Sequence, residues 1–295
     1  FDVAGNGINS AGGTTEFTVS GDYNRIKAGV TGISVDHGSV IVKKVSVSDE
    51  LVIASGKDGI YVKNDGKFAS DASVDIWSTG SGAAGVKIIA GSVDIASGLR
   101  TYSIATGTSG IDNEGGAIKI GGVSIDVQGA GVNAIGGTTA IMMADNGWNE
   151  IKAGVTGIYA SEKGTVVSID KSATTNTLFV TGGSIGIATA NKGTFRSSAS
   201  LDITTKETGG TGISAITSSV VSIDGNTNIT LKGGGTGISS SSSDVELGKG
   251  LTVTTAAKAT SPVIGIMTTD NGKVAVNDGV TSIDVKTSGA TANGL

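Results

Sequence analysis

The stretch Asn149-Glu150-Ile151-Lys152-Ala153-Gly154-Val155-Thr156-Gly157-Ile158 decides how the chain is read, because nine of its ten residues already stand at positions 24–33. Only Arg25 differs, its counterpart being Glu150. The two copies lie 125 residues apart, a distance that invites a search for a shorter period inside it. The closing Gly-Ile pair supplies that period. In similar surroundings, Gly followed by Ile, Val or Leu recurs at Gly7, Gly32, Gly59, Gly85, Gly110, Gly131, Gly157, Gly186, Gly212, Gly237, Gly265 and Gly294. The spacings are 25, 27, 26, 25, 21, 26, 29, 26, 25, 28 and 29.

A second mark follows six or seven residues later, usually Gly with a β-former two places on: Gly38/Val40, Gly66/Phe68, Gly91/Val93, Gly116/Ile118, Gly164/Val166, Gly193/Phe195 and Gly272/Val274. Ser219 and Ser243 take its place in two repeats. Each repeat then parses as three short strands separated by turns, with alternate residues inward. The repeat from Gly59 is the clearest: Ile60 and Val62 alternate, Asn64-Asp65-Gly66 turns the chain, Phe68 begins the second strand, and Val74 and Ile76 alternate in the third. Strands this short form no independent sheet, but each can stack on its counterpart one repeat later. The expected fold is an all-β solenoid, a parallel β-helix of about 11–12 rungs, each of roughly 26 residues and three strands, running as one array over 1–295.

Gly before the Ile has two possible causes: a left-handed corner, or close approach of neighbouring coils. Ser, Thr and Asn at equivalent positions can form hydrogen-bonded ladders along the axis. Phe1-Asp2-Val3 resembles Ile283-Asp284-Val285, a third strand, while Gly294-Leu295 opens a new rung. A section of a longer chain is therefore expected, or a body whose ends meet neighbours.

Composition narrows the function. The 295 residues include 49 Gly, one Pro, no Cys and only 4% aromatics, which suits tight, frequent turns better than an ordinary globule. The net charge is −5, with Lys and Arg scattered singly, so no basic stripe exists to track nucleic acid. No apolar run reaches membrane-spanning length, so no membrane insertion by this segment is expected. Residue 1 begins no signal peptide.

Ser-apolar-Asp triplets recur along the chain, among them those ending at Asp75, Asp94, Asp126, Asp170, Asp202, Asp224 and Asp284. Their offsets from the preceding Gly differ, so they cannot share one column; an acidic solvated surface is expected rather than a cation ladder. A polysaccharide-acting enzyme would need carboxylates at set separation in a cleft, and the single histidine, His37, sits at a turn beside Gly38. No catalytic, cofactor-binding or metal-binding residue is predicted, and no cofactor. Surface contact is assigned to Trp77, Trp148, Tyr61 and Tyr159. Trp77 points outward by alternation, though packing beneath the link at 78–84 is the preferred reading. Trp148 falls where the rung from Gly131 departs from the rule, read as a local loop variation or a binding loop. The two tyrosines each follow a Gly-Ile pair and are expected on one outer strip.

Residues 59–68 (Gly-Ile-Tyr-Val-Lys-Asn-Asp-Gly-Lys-Phe) and 157–166 (Gly-Ile-Tyr-Ala-Ser-Glu-Lys-Gly-Thr-Val) resemble rungs of Gram-negative autotransporter passenger domains, the type V secretion family. The resemblance implies a right-handed parallel β-helix, exported to the bacterial cell surface or the extracellular space. It also implies an adhesin-like rod that attaches by multivalent contacts with host or bacterial cell-surface protein or glycan. A self-assembling filament, sheath or surface-layer component associating end to end is the alternative reading. A polysaccharide-acting β-helix enzyme ranks below both.

Overall fold

The computed structural model describes residues 1–21, 24–145, 149–171, 177–255, 261–277, 283–286 and 292–293. Among them there is no helix, and the strands assemble into three parallel sheets of 12, 11 and 12 strands. The first sheet collects the strands that open each rung, such as Ile33–Asp36, Ile60–Lys63 and Ala84–Ile88. The second holds strands such as Ser39–Lys44 and Gly66–Ser70, and the third holds strands such as Glu50–Ser55 and Ser73–Ser78. Every strand pairs with its counterpart one repeat away, as in Ile33↔Ile60, Ile60↔Val86, Val86↔Ile111 and Ile111↔Val132. The chain is thus a parallel β-solenoid, rising about 4.8 Å per coil.

Alternation fills the narrow core. Ile33, Ile60, Val86, Ile111, Val132, Ile158, Ile187, Ile213 and Ile238 form one fully buried column inside the first sheet. Burying each such side chain stabilises the fold by roughly 1.5–3 kcal/mol. Phe68 and Phe195 are the bulkiest buried side chains, both in the second sheet.

The Gly column owes its identity to close approach. None of Gly7, Gly32, Gly59, Gly85, Gly110, Gly131, Gly157, Gly186, Gly212 or Gly237 has a left-handed backbone. A β-carbon on Gly32 would lie 2.6 Å from the Gly59 carbonyl oxygen and 2.2 Å from the Ile53 Cγ2 methyl. The same two obstacles recur up the array, where the facing side chains are Ile26, Ile53, Ile76, Thr101, Ile125, Ile151, Val180, Ile203, Ile229 and Val253. All are β-branched, so a γ-methyl fixed close to the backbone fills the space that the missing Cβ leaves.

Left-handed geometry belongs instead to the corner between the first and second sheets. Asn64 and Asp65, Asn191 and Lys192, Thr217 and Ser218, and Asp270 and Asn271 each form consecutive pairs with φ between 49° and 69°. Two such residues in a row meet the requirement of a type I′ turn. His37, at φ 55° in the same corner, is a surface turn residue. The spacing misplaced one mark by a residue: Val166 pairs with Thr138 and Thr194, so Thr165 rather than Gly164 occupies the corner column. Consequently Val167, not Val166, is the inward residue of that strand.

The expected ladders form. Thr189 Oγ1 lies 2.8 Å from Ser219 Oγ, and Ser55 and Ser78 hydroxyls lie 3.4 Å apart. Asp75, Asp126 and Asp202 lie on third-sheet strands, whereas Asp94 and Asp170 lie on second-sheet strands, so the triplets do occupy different columns. The third sheet also aligns Thr181, Thr204, Thr230 and Thr254 on its outer face. The rung from Gly131 keeps its second-sheet strand, Thr138–Met142, and the Asn149 amide then ties down Ala144 through bonds of 2.9 and 2.7 Å.

Candidate functional site

On the outer face of the third sheet, the strand Ser73–Ser78 presents Asp75 and Trp77, and the next strand, Leu99–Ser103, presents Arg100 and Tyr102. Parallel register sets Asp75 beside Arg100 and Trp77 beside Tyr102. The two ring centroids are 4.7 Å apart with their planes inclined at 54°. Trp77 remains 48% exposed and Tyr102 40% exposed. The preference for Trp77 packing beneath the link at 78–84 is therefore corrected. Its ring lies on the neighbouring rung, because a parallel ladder brings equivalent outward positions within contact range.

Arg100 organises the polar half of this surface. Its guanidinium contacts the Glu50 carboxylate and lies 2.5 Å from Asp75 Oδ1. Burial pushes the Asp75 carboxyl up to about 6; Arg100 opposes that shift and the negative charge of Glu50 adds to it. One guanidinium shared by two carboxylates does not fully offset the desolvation of Asp75. Beside the rings runs a notch of about 170 Å³, lined by Asp75, Trp77, Arg100, Tyr102, Ser124 and Asp126.

The tyrosines singled out in the sequence lie on the first sheet. Successive registers Tyr61↔Lys87, Lys87↔Asp112, Asp112↔Asn133 and Asn133↔Tyr159 put Tyr61 and Tyr159 in one outward column, four rungs apart. Between them, Lys87 Nζ reaches Asp112 at 2.8 Å and Glu114 at 2.6 Å, and Asn133 donates to Asp112 at 2.8 Å. Burial works against the Lys87 charge, but the hydrogen bonds to Asp112 and Glu114 outweigh it and hold the ammonium protonated. Tyr61 also borders an open depression of about 490 Å³ with Ser34, Asp58 and Lys63. Asp58 is nearly buried, accepts the Ala84 N–H at 2.9 Å, and has its carboxyl pushed up chiefly by burial.

The structure thus separates the predicted contact residues: Tyr61 and Tyr159 share one face, Trp77 stands on another, and Trp148 lies outside the described residues. Tyr102 was missed by the sequence reading. It stands 17 residues after Gly85, as Trp77 stands 18 after Gly59, and that near-coincidence in phase is the signal that pairs them. Among the described residues no group of three or more His, Cys, Asp or Glu side chains is placed to hold a metal ion. No helix among them is long and apolar enough to cross a membrane.

A parallel β-solenoid bearing exposed aromatic and ion-paired strips is the class that these features define. Set against family models, curated proteins and solved structures, the chain matches none of them.

Proposed function

We propose that the chain is an extracellular or cell-surface rod that makes adhesive contacts through its outward faces, in the manner of autotransporter passenger domains. The observation that carries this reading is the exposed Trp77–Tyr102 pair on a regular sheet surface. Aromatic side chains of this kind dominate contact energetics when a partner covers them, and a chain with 4% aromatics gains nothing in core packing from displaying two together. The solenoid supplies the second ingredient. Stacked rungs hold outward side chains at fixed intervals, so several weak contacts act together and no deep pocket is needed. The partner on this reading is a protein or glycan of a host or bacterial surface, and the role is non-enzymatic.

Retention of the fluorescently labelled chain on bacterial and epithelial cell surfaces, compared with a Trp77→Ala and Tyr102→Ala double variant, tests the reading. Saturable retention that falls in the variant supports it. Absence of saturable retention on every surface, coupled with end-to-end fibres in electron micrographs, would transfer the role to a self-assembling filament.

A further inference from the structure

The notch beside Trp77 and Tyr102 combines two properties that seldom meet by accident on a rod with so few aromatics. Both aromatic residues stay partly open to solvent, at 48% and 40% exposure. Around them stand three carboxylates, Glu50, Asp75 and Asp126, against the single guanidinium of Arg100. That guanidinium is already neutralised between Glu50 and Asp75. Lys152, the register partner of Asp126 in the next strand, is itself held by Glu150 at 2.7 Å. The surface beside the rings therefore carries excess negative charge.

We propose that this notch receives a cationic side chain, arginine or lysine, from a partner protein. The proposal rests on the contact-rod reading and specifies the chemistry of one of its contacts. Aromatic faces attract cations through their quadrupole, most strongly for Trp, and Asp126 at the far rim adds a hydrogen-bonding acceptor for the same group. Geometry favours a cation over a sugar. The ring planes are inclined at 54°, so one face of a pyranose cannot lie on both at once, whereas a compact guanidinium or ammonium group needs only one exposed ring face. A space of about 170 Å³ accommodates a single side chain rather than an extended chain of residues. Charge complementarity points the same way, because a patch with more carboxylates than cations repels acidic glycans.

The test uses the full chain with Trp148→Phe, which leaves Trp77 as the sole tryptophan of the two in the sequence. Its fluorescence is titrated with hexa-arginine, hexa-lysine, hexa-glutamine and a neutral cello-oligosaccharide. The expected result is a saturable change with the two basic peptides only. Tyr102→Ala should weaken that binding about tenfold, the scale of a lost exposed-to-desolvated cation–π contact. This variant leaves the net charge of −5 intact, so general electrostatic attraction would not respond to it. Asp126→Asn, which preserves shape, should weaken hexa-arginine binding as well. Saturation by the oligosaccharide but not the peptides would replace the cation with a glycan and overturn the proposal. Equal peptide binding by the parent protein and Tyr102→Ala, or no saturation with any probe, would also overturn it. Cell-surface retention measured on the same parent protein separates the two levels: retention with an unresponsive notch removes this site alone, and loss of retention removes the rod reading itself.

Discussion

A β-carbon placed on Gly131 would lie 2.2 Å from the Cγ2 methyl of Ile151, a residue 20 positions later that closes the same coil. The two residues share one small volume at the junction of the third and first sheets, and the other glycines of the column from Gly7 to Gly237 repeat the arrangement, each with a β-branched partner.

Gly131→Ala is therefore expected to destabilise the protein by about 3 kcal/mol, at the upper end of overpacking effects. The second obstacle is the Gly157 carbonyl oxygen at 2.5 Å, which belongs to backbone and cannot rotate away. Gly5→Ala, with nothing within 4 Å of the new carbon, should change stability by no more than about 0.5 kcal/mol. Urea denaturation midpoints compare the two directly, and equal midpoints would refute close approach as the reason for the glycine column.

At Thr217 a β-branched residue adopts φ 58°, a conformation that costs an L-residue about 1–2 kcal/mol. Asn191 occupies the equivalent turn position one rung earlier, at φ 49°, and asparagine tolerates this region better than threonine. Thr217→Asn should raise stability by about 0.5–1 kcal/mol. A melting temperature unchanged or lowered in the variant would show that this corner carries no backbone strain.

Asp58 tests a buried acceptor. Asp58→Ala removes the partner of the Ala84 N–H and should cost about 1–3 kcal/mol for the orphaned donor. Asp58→Asn keeps an oxygen acceptor and removes a desolvated charge, so at pH 7 it should match or exceed the parent in stability. Burial raises the folded pKa of Asp58 above 3.8, which means its charge opposes folding at high pH and this penalty fades as pH falls through the folded pKa. The Asn variant should lose that increment, visible as a flatter stability profile on the acid side.

Asp75 gives a second pH signature, with a defined window. Its carboxyl rises to about 6 in the folded state from 3.8, so the folded protein binds this proton more tightly than the unfolded chain does. Between pH 7 and pH 4 the group should make the protein more stable as pH falls, whereas a carboxylate stabilised by its partners would do the reverse. Screening at this partly exposed cluster holds the effect to about 1 kcal/mol. The difference between the parent and Asp75→Asn, followed by denaturation across that range, should shift in this direction; a shift of opposite sign would mean that Arg100 dominates over burial.

The fold was legible because one steric demand recurs coil after coil from Gly7 to Gly237. A β-carbon on Gly32, Gly59 or Gly85 would lie 2.6 Å from the next glycine's carbonyl oxygen, so a side chain there forces the coils apart and the period prints itself on the sequence. The partner column was not legible. Ile53 follows Gly32 by 21 residues and Ile125 follows Gly110 by 15, because connections of unequal length intervene between the second and third sheets. A similar variation hid the corner column at Thr165, where the turn after Ser161 is longer than the one at Asn64-Asp65. At the candidate site, alternation sufficed to turn Trp77 outward. Its contact with Tyr102 depends on which strand stacks on which and in what register, a relation between rungs that no single rung contains.

The near-identical decapeptides at 24–33 and 149–158 put Ile26 and Ile151 into the same interior column, five coils apart. Val30 and Val155, also matched between them, are both left facing solvent. A genetic duplication of this interval would return every side chain to its own face, because it adds complete coils and leaves the phase undisturbed. Unequal recombination between such segments can therefore lengthen or shorten the protein without inventing a new junction, which makes reach a trait that selection can adjust separately from architecture.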